Sequence, residues 1–262
     1  MTYLSYTWTG DPDATPWVLL HAMPFDSTMF DTVRHVLPAV ITFDAPGFGS
    51  SISGAELDDL LGADSPSLDT YAQAVAHDLE ELGVTKYHVG GVSMGGAVSV
   101  ALLEYYPGYE GLALMDTNIG ADTDEARQKR LDAALKADDG DASAVLPMSD
   151  TMTSKATQTE RPEVYEDIKA RLQAVKPESL AWMQRAMAAR PDRTGSVSKH
   201  ETKLLLVRGA EDPTFTDDMV AALAKEYPAT AVTKTIAGAG HFTPLETPEE
   251  LGQILSSFHS QY

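Results

Sequence analysis

The stretch that decides the fold reads Lys86-Tyr-His-Val-Gly-Gly-Val-Ser-Met-Gly-Gly-Ala-Val-Ser-Val100. A short β-favouring run, Tyr87 to Val89, leads into Gly91-Val-Ser-Met-Gly95 and then into small and apolar residues at helical spacing. This order predicts a strand, a sharp turn and a helix. In such a turn a strained backbone lifts the hydroxyl of Ser93 clear of the sheet, and the helix N-terminus favours an anion above it. The alternative is an ordinary turn with a solvent-facing serine.

The segments on either side of this stretch predict an α/β fold. Continuous apolar runs, typical of strands buried on both faces of a parallel sheet, alternate with helical patterns. The predicted strands cover residues 3–8, 17–20, 40–43, 87–89, 111–115, 203–207 and 231–236. Such alternation implies a mostly parallel sheet flanked by helices and joined by right-handed crossovers. Residues 52–64 are acidic and aperiodic, so we expect a surface excursion there.

Residues 120–200 differ from the rest of the chain. They are charged, helical in pattern and without an obvious strand, which predicts three or four short amphipathic helices inserted over the edge of the sheet. We therefore expect a core of residues 1–119 and 201–262 and a helical cap of residues 120–200. The large apolar side chains of the insertion are expected mainly in helix cores, with a minority facing Ser93 as a tolerant apolar pocket: Met148, Met152, Trp182, Met183 and Met187.

Composition limits the partners and the compartment. The 262 residues suit one α/β domain with an insertion, and 19 Lys and Arg against 39 Asp and Glu give a net charge of −20. That charge disfavours nucleic acid and anionic membranes as partners. The absence of cysteine excludes disulfides and thiolate catalysis. The N-terminus has no signal-peptide pattern and no apolar run is long enough to span a membrane, so we expect a cytoplasmic protein.

A serine hydroxyl is a weak nucleophile at neutral pH and needs a base, which in turn needs an orienting group. Open α/β sheets build their sites at the carboxyl ends of the strands. Asp212 follows the strand that ends at Val207, and His241 follows the strand that ends at Ile236. These two residues are therefore the candidate acid and base for Ser93.

Other titratable residues compete for these roles. Asp116 ends the strand after the serine helix and is the main rival acid, while Glu211 is a weaker one; we favour Asp212 because its turn and its chain order fit. His21 is interpreted as a structural residue of its loop. The remaining histidines lack a partner pattern and are interpreted as structural or solvated: His35, His77, His88, His200 and His259. No H-E-x-x-H or similar ligand spacing occurs, so neither a metal nor a cofactor is predicted.

Short motifs extend this pattern along nearly the whole chain. They are His21-Ala-Met-Pro24, Asp44-Ala-Pro-Gly-Phe-Gly-Ser50, Gly91-Val-Ser-Met-Gly95, Gly209-Ala-Glu-Asp212 and Gly238-Ala-Gly-His241. Together they resemble the α/β-hydrolase family, in which serine, acid and histidine follow one another in this order. Within the family the chain looks most like the capped esterase and lactonase branch, which includes 3-oxoadipate enol-lactonases, aryl esterases and related peroxidase-like hydrolases. The resemblance implies the α/β-hydrolase fold.

The resemblance also implies a role for each matching residue. Ser93 attacks an acyl carbon, His241 takes its proton and delivers it to the leaving alcohol, and Asp212 fixes the imidazole tautomer. The backbone N–H groups of Met23 and Met94 stabilise the tetrahedral oxyanion. The chain departs from the family pattern beside Met23, because alanine follows His21 where the family usually has glycine.

The sequence thus predicts a serine hydrolase that cleaves a small or medium carboxylic ester through an acyl-enzyme, without a cofactor. The resemblance implies that the family members acting on haloalkanes and epoxides have a carboxylate at the position of Ser93. The serine at this position therefore excludes those activities. A lactone, a thioester or a carbon–carbon bond beside a ketone needs the same three residues, so these substrates remain alternatives. The rival class is a non-catalytic ligand-binding protein on this fold.

Overall fold

The structure is a computed structural model and describes residues 1–200, 203–227 and 231–260. The strands are β1 (Tyr6–Gly10), β2 (Trp17–Leu20), β3 (Ala39–Phe43), β4 (Tyr87–Val92), β5 (Tyr109–Met115), β6 (Lys203–Gly209) and β7 (Ala231–Ile236). The helices are α1 (Asp31–Arg34), α2 (Gly54–Leu61), α3 (Leu68–Glu81), α4 (Met94–Tyr105), α5 (Asp124–Asp138), α6 (Met148–Met152), α7 (Lys155–Glu160), α8 (Pro162–Gln173), α9 (Pro177–Ala188), α10 (Asp217–Glu226), α11 (Thr243–Glu246) and α12 (Pro248–Ser260). Residue 201, at the predicted boundary, and the side chain of His200, with the role predicted for it, lie outside what is described.

The central sheet is mostly parallel, which confirms the predicted fold class. In the described residues its order is β1-β3-β2-β4-β5-β6-β7. Only β1 is antiparallel to its neighbour, β3, and the remaining pairs are parallel. Every residue of β2, β3 and β4 is buried, because helices cover both faces of the sheet.

The chain reverses its direction across the sheet at β2. This strand lies between β3 and β4, so the chain first moves towards one edge and then returns past β2 towards the other. Right-handed crossovers consequently put α1 on the face opposite to α3 and α4. Helix α3 packs against α4, and α1 packs against α12. The loops after β2 and β4 are neighbours at this reversal, where open α/β sheets form a crevice.

The expectation for residues 52–64 is wrong in part, because these residues include α2. Ser53 caps this helix: its hydroxyl accepts the N–H of Glu56, and the Glu56 carboxylate accepts the N–H of Ser53. Gly62 ends it in the left-handed conformation, with a φ of 65°. Capping at both ends therefore stabilises a helix of only eight residues.

The segment between β5 and β6 is helical, but it contains more helices than predicted. Five of them, α5 to α9, lie in described residues 124–188, with 3₁₀ turns at Ser143–Val145 and Val197–His200. Helices α5 and α9 pack against each other. No helix of the described residues is both long and apolar enough to cross a bilayer.

Candidate active site

Ser93 lies in the sharp turn between β4 and α4. Its backbone has a φ of 54° and a ψ of −113°, which is strained for a residue with a side chain. The Ser93 N–H donates to the carbonyl of Met115 on the neighbouring strand at 2.9 Å. A Cβ on Gly91 would lie 2.1 Å from the carbonyl carbon of Gly95, and one on Gly95 would lie 2.1 Å from the carbonyl oxygen of Leu20. Close backbone packing thus holds the serine in place, and only glycine fits at both flanking positions.

Two backbone N–H groups border the same space. Met94 is the first residue of α4, and Met23 lies in the loop after β2. Within the described residues the structure gives neither N–H an acceptor. Met23 and Ser93 line one cavity. These are the two donors that the sequence analysis predicts for an oxyanion hole, and Met23 is the one that lines the cavity.

His21 supports the Met23 loop from inside the protein. Its Nδ1–H donates to the carbonyl of Ala22 at 3.0 Å, and its Nε2 accepts the N–H of Ala45 at 2.8 Å. Burial lowers the pKa of His21, so the ring is neutral and can make both bonds. His21 therefore joins the loops after β2 and β3, in agreement with its interpretation as a structural residue.

His241 and Asp212 are brought together at the carboxyl ends of β7 and β6. His241 Nδ1 lies 2.9 Å from Asp212 Oδ2 and 2.9 Å from the hydroxyl of Thr214. The N–H and hydroxyl of Thr214 donate to Asp212 Oδ1 at 2.7 and 2.8 Å. Because Nδ1–H faces the carboxylate, Nε2 is left as the basic nitrogen. Sequence analysis missed Thr214, which has no motif of its own.

The charge of Asp212 follows from these contacts. Burial raises the pKa of its carboxyl, but the hydrogen bond and charge of His241, together with the bonds from Thr214, outweigh burial and lower the pKa overall. Asp212 is therefore an ionised acceptor that can stabilise an imidazolium.

Asp116, the rival acid, has a different environment. Its Oδ1 accepts the N–H of Gly209 at 2.7 Å and its Oδ2 accepts the hydroxyl of Thr243 at 2.6 Å. Burial and the neighbouring charge of Asp212 raise the pKa of Asp116 well above its usual range. Asp116 therefore joins the end of β6 to the first residue of α11, while Asp212 contacts the imidazole.

Glu211, the weaker candidate, faces the inserted helices. Its carboxylate accepts the N–H of Lys155 at 2.9 Å. In the described structure neither Asp116 nor Glu211 bonds to His241. Of the three acids considered in the sequence, Asp212 is the one that reaches the imidazole.

The His241 loop is held by a buried carboxylate that the sequence analysis did not identify. Glu246 is 2% exposed, and its Oε1 accepts the N–H groups of Gly240 at 3.0 Å and Phe242 at 3.1 Å. The residues on both sides of His241 are thus fixed to one carboxylate oxygen. No local pattern marks Glu246, because its partners come from both the loop and the insertion.

The insertion completes this support. Glu246 Oε2 accepts the N–H of Ser154 at 2.9 Å and the hydroxyl of Thr157 at 2.7 Å. The N–H of His241 donates to the carbonyl of Met152 at 2.7 Å. Arg161 donates to the backbone carbonyl of Glu246 at 2.7 Å. The position of His241 therefore depends on residues from α6 to α8.

Ser93 and His241 line the same cavity, of about 530 Å³. Among the described residues no hydrogen bond joins the Ser93 hydroxyl to the imidazole. Such contacts are often long before substrate binds and shorten in the reacting complex. The cavity is therefore lined by Ser93, His241 and Met23 at one end of the sheet.

The insertion supplies the opposite wall of the cavity. Met148, Met152 and Met187 line it, whereas Trp182 and Met183 are packed in the core, so more of these large side chains face the site than expected. The other lining residues from 118 to 190 are Asn118, Asp122, Ala126, Lys129, Arg130, Ala133, Ala144, Val145, Gln184 and Arg190. Within the described chain no group of three or more metal-ligating side chains is present.

Comparisons with known proteins agree with this geometry. The model of the Alpha/beta hydrolase family matches residues 17–254. A malate-bound thermophilic esterase from Thermogutta terrifontis is 28% identical, with a TM-score of 0.89 over 98% of this chain and 93% of that one. The enol-lactonase from Burkholderia xenovorans LB400 is 21% identical (TM-score 0.77, 98% and 96% covered), and MenH from S. aureus is 19% identical (TM-score 0.83, 100% and 99% covered). No curated protein sequence matches the chain significantly.

Proposed function

Because the chain belongs to the alpha/beta hydrolase family, we propose that it is a serine hydrolase that cleaves small or medium carboxylic esters. The family and the similarity to an esterase support hydrolase activity. The observation that carries the serine mechanism is the hydrogen bond from His241 to Asp212 beside the cavity that Ser93 also lines. A protein that only binds its ligand has no use for an acid that orients a histidine.

The mechanism assigns one step to each group. His241 Nε2 takes the proton of Ser93 as the serine oxygen bonds to the acyl carbon, and Asp212 stabilises the imidazolium. The oxyanion accepts hydrogen bonds from the N–H groups of Met94 and Met23; loss of one such donor typically costs about 3 kcal/mol in the transition state. The acyl carbon–oxygen bond then breaks, and the alcohol leaves with the proton from His241. Water repeats the sequence and releases the carboxylic acid.

We also propose that residues 120–200 form a cap over a core made of residues 1–119 and 201–262. The support is that α5, α6 and α9 contribute side chains to the Ser93 cavity, while Met152 and Ser154 contact the His241 loop and Glu246. A cap in this place would select the acyl group and exclude water from the intermediate.

The alternative substrates differ from an ester in the leaving group, and their hydrolysis would use the same three residues, Ser93, His241 and Asp212. In a lactone the leaving alcohol stays tethered to the acyl group, and in a thioester it is a thiol. A carbon–carbon bond beside a ketone releases a carbanion that His241 would protonate. A panel containing one substrate of each type separates these activities.

Hydrolysis of p-nitrophenyl acetate and butyrate tests the proposal. We expect the wild type to hydrolyse both esters, and Ser93→Ala to lose roughly 10⁴-fold or more in kcat. Ser257→Ala, an exposed serine on α12, is the matched control and should keep the wild-type rate. A folded wild type that is inert towards both esters, or a Ser93→Ala variant that remains active, contradicts the proposal.

A further inference from the structure

Two arginines share one carboxylate in the wall of the Ser93 cavity. Asp122 Oδ2 accepts from Arg130 Nε at 2.6 Å, and Asp122 Oδ1 accepts from Arg190 Nη2 at 2.6 Å. All three residues line the cavity together with Ser93 and His241. The two guanidinium groups and one carboxylate leave one positive charge in excess.

The other charged residues of the cavity wall do not cancel this charge. Burial and the neighbouring charge of Asp212 raise the pKa of Asp116, which disfavours a second negative charge in the wall. Lys129 pairs with the exposed Glu125 at 2.7 Å. The chain as a whole carries a net charge of −20, so an excess positive charge in this cavity runs against the overall composition. The group of Arg130, Asp122 and Arg190 thus contributes one excess positive charge to the cavity wall of an acidic protein.

The two arginines are not equivalent. Arg190 has only 8% of its side chain exposed, and its Nε also donates to the carbonyl of Gly120 at 3.0 Å. Arg130 is 23% exposed; its Nε bonds to Asp122 and its Nη1 to Gln184 Oε1 at 3.3 Å. Within the described residues Arg130 Nη2 has no acceptor. Asp122 and Gln184 therefore hold two nitrogens of the guanidinium, and the third remains free to bind a ligand in the cavity that Arg130 lines.

We propose that Arg130 binds a carboxylate of the substrate, so that the preferred substrate is an ester with a free carboxylate in its acyl or alcohol half. This inference rests on the proposed esterase function. A guanidinium that is held by hydrogen bonds on one side can donate from the other side to a carboxylate. The positive charge of the guanidinium strengthens that hydrogen bond. Met148, Met152 and Met187 line the same cavity and would contact the carbon chain between carboxylate and ester. The ester chemistry itself is unchanged: water is consumed, and an acid and an alcohol are released.

A pair of esters of equal chain length tests the inference. Monomethyl glutarate and methyl pentanoate differ in a terminal carboxylate replacing a methyl group, and acetoxyacetate places the carboxylate in the alcohol half. Hydrolysis is followed by pH-stat titration, with p-nitrophenyl acetate as the common reference. We expect the wild type to prefer one of the two carboxylated esters over methyl pentanoate by about tenfold to a hundredfold in kcat/KM, as a hydrogen bond to a charged group would give.

Variants assign the preference to Arg130. Arg130→Gln should lower kcat/KM for the carboxylated ester far more than for methyl pentanoate, and Arg130→Lys should keep part of the preference because the charge remains. Arg127→Gln, an exposed arginine on the same helix, removes one charge without changing the cavity wall and should behave as the wild type. If Arg130→Gln is unstable, Arg130→Lys and Arg127→Gln still separate a local contact from a general charge effect.

The outcomes distinguish this inference from the proposed function. A wild type that hydrolyses p-nitrophenyl acetate but does not prefer a carboxylated ester contradicts the inference about Arg130. It does not contradict the proposed esterase function. Equal loss of the preference in Arg127→Gln also contradicts the inference, because the effect would then be long-range. A wild type that hydrolyses none of the esters contradicts the proposed function, and the inference with it.

Discussion

The serine and histidine sides of the site are built in different ways. Ser93 is positioned by neighbouring backbone, because the close approach of Gly91 and Gly95 to adjacent main chain forces the turn. His241 is positioned by polar groups that are distant in sequence, with the carboxylate of Glu246 and the carbonyl of Met152 holding its loop. The position of Ser93 therefore depends on local sterics, and that of His241 depends on long-range hydrogen bonds.

This difference indicates how each side should respond to change. Backbone packing tolerates no added atom, so a methyl group at the serine turn should affect folding. A hydrogen-bonded loop can shift slightly while the protein stays folded, so changes on the histidine side should affect catalysis more than stability.

The largest effect is expected from the acid that orients His241. Asp212→Asn removes the charge that stabilises the imidazolium and should lower kcat by roughly 10³- to 10⁴-fold. Asp116→Asn should stay within about tenfold of the wild type, since Asp116 bonds to Gly209 and Thr243 and not to the imidazole, and asparagine has the same shape. Ester hydrolysis near pH 8 measures both variants. The reverse ranking would assign the acid to Asp116.

The next effect tests the sterics of the serine turn. Gly95→Ala places a Cβ 2.1 Å from the carbonyl oxygen of Leu20, so the strand and the helix must separate. We expect a loss of about 3 kcal/mol or more in the free energy of unfolding, measured by urea denaturation. Gly195→Ala, where an added Cβ meets open space, should change it by less than about 0.5 kcal/mol. Equal stability of both variants would show that the turn is not sterically determined.

A smaller effect on kcat is expected when the carboxylate that holds the His241 loop is removed. Glu246→Gln replaces two acceptor oxygens by one oxygen and an amide that faces N–H donors. We expect kcat to fall about 10- to 100-fold with little change in KM, because the imidazole is misplaced while the substrate cavity is kept. The exposed Glu249→Gln on α12 serves as control. An unchanged kcat in Glu246→Gln would contradict the proposal that Glu246 positions His241 by holding its loop.

The smallest effect concerns the strand that leads into the serine turn. Burial, with a contribution from His259, lowers the pKa of His88 on β4 to about 4. The native ring is neutral, whereas the unfolded ring binds a proton below a pKa of about 6.5. Stability due to neutral His88 is thus present above pH 6.5 and is lost as pH falls towards 4.

Urea denaturation at pH 7 and pH 5 tests this dependence. We expect the wild type to lose about 2 kcal/mol more than His88→Gln between these two pH values, because glutamine does not titrate. The exposed His35→Gln should follow the wild type. Identical pH dependence in all three proteins would contradict the assignment to His88.

Sequence analysis succeeded where the determining residues are adjacent in the chain. The turn around Ser93 and the buried strands follow from glycines and apolar runs, and the family match confirms the resemblance. The helix α2 was missed although its capping residues, Ser53 and Glu56, are visible in the sequence. That miss came from relying on apolar periodicity alone.

The rest depends on contacts between distant segments. Asp116 and Asp212 both end strands, and only the folded structure shows that Asp116 bonds to Gly209 and Thr243 while Asp212 bonds to His241. In the same way, the interactions of Glu246 and Arg130 depend on how the inserted helices fold back over the sheet. No local pattern in the sequence specifies that arrangement.

The central claim is that Ser93 is a nucleophile activated by His241, and labelling with a fluorophosphonate followed by peptide mass mapping tests it most directly. We predict one adduct, on the peptide that contains Ser93, with much slower labelling in His241→Ala and none in Ser93→Ala. Folded wild-type protein that forms no adduct, or forms it on another residue, would contradict the claim.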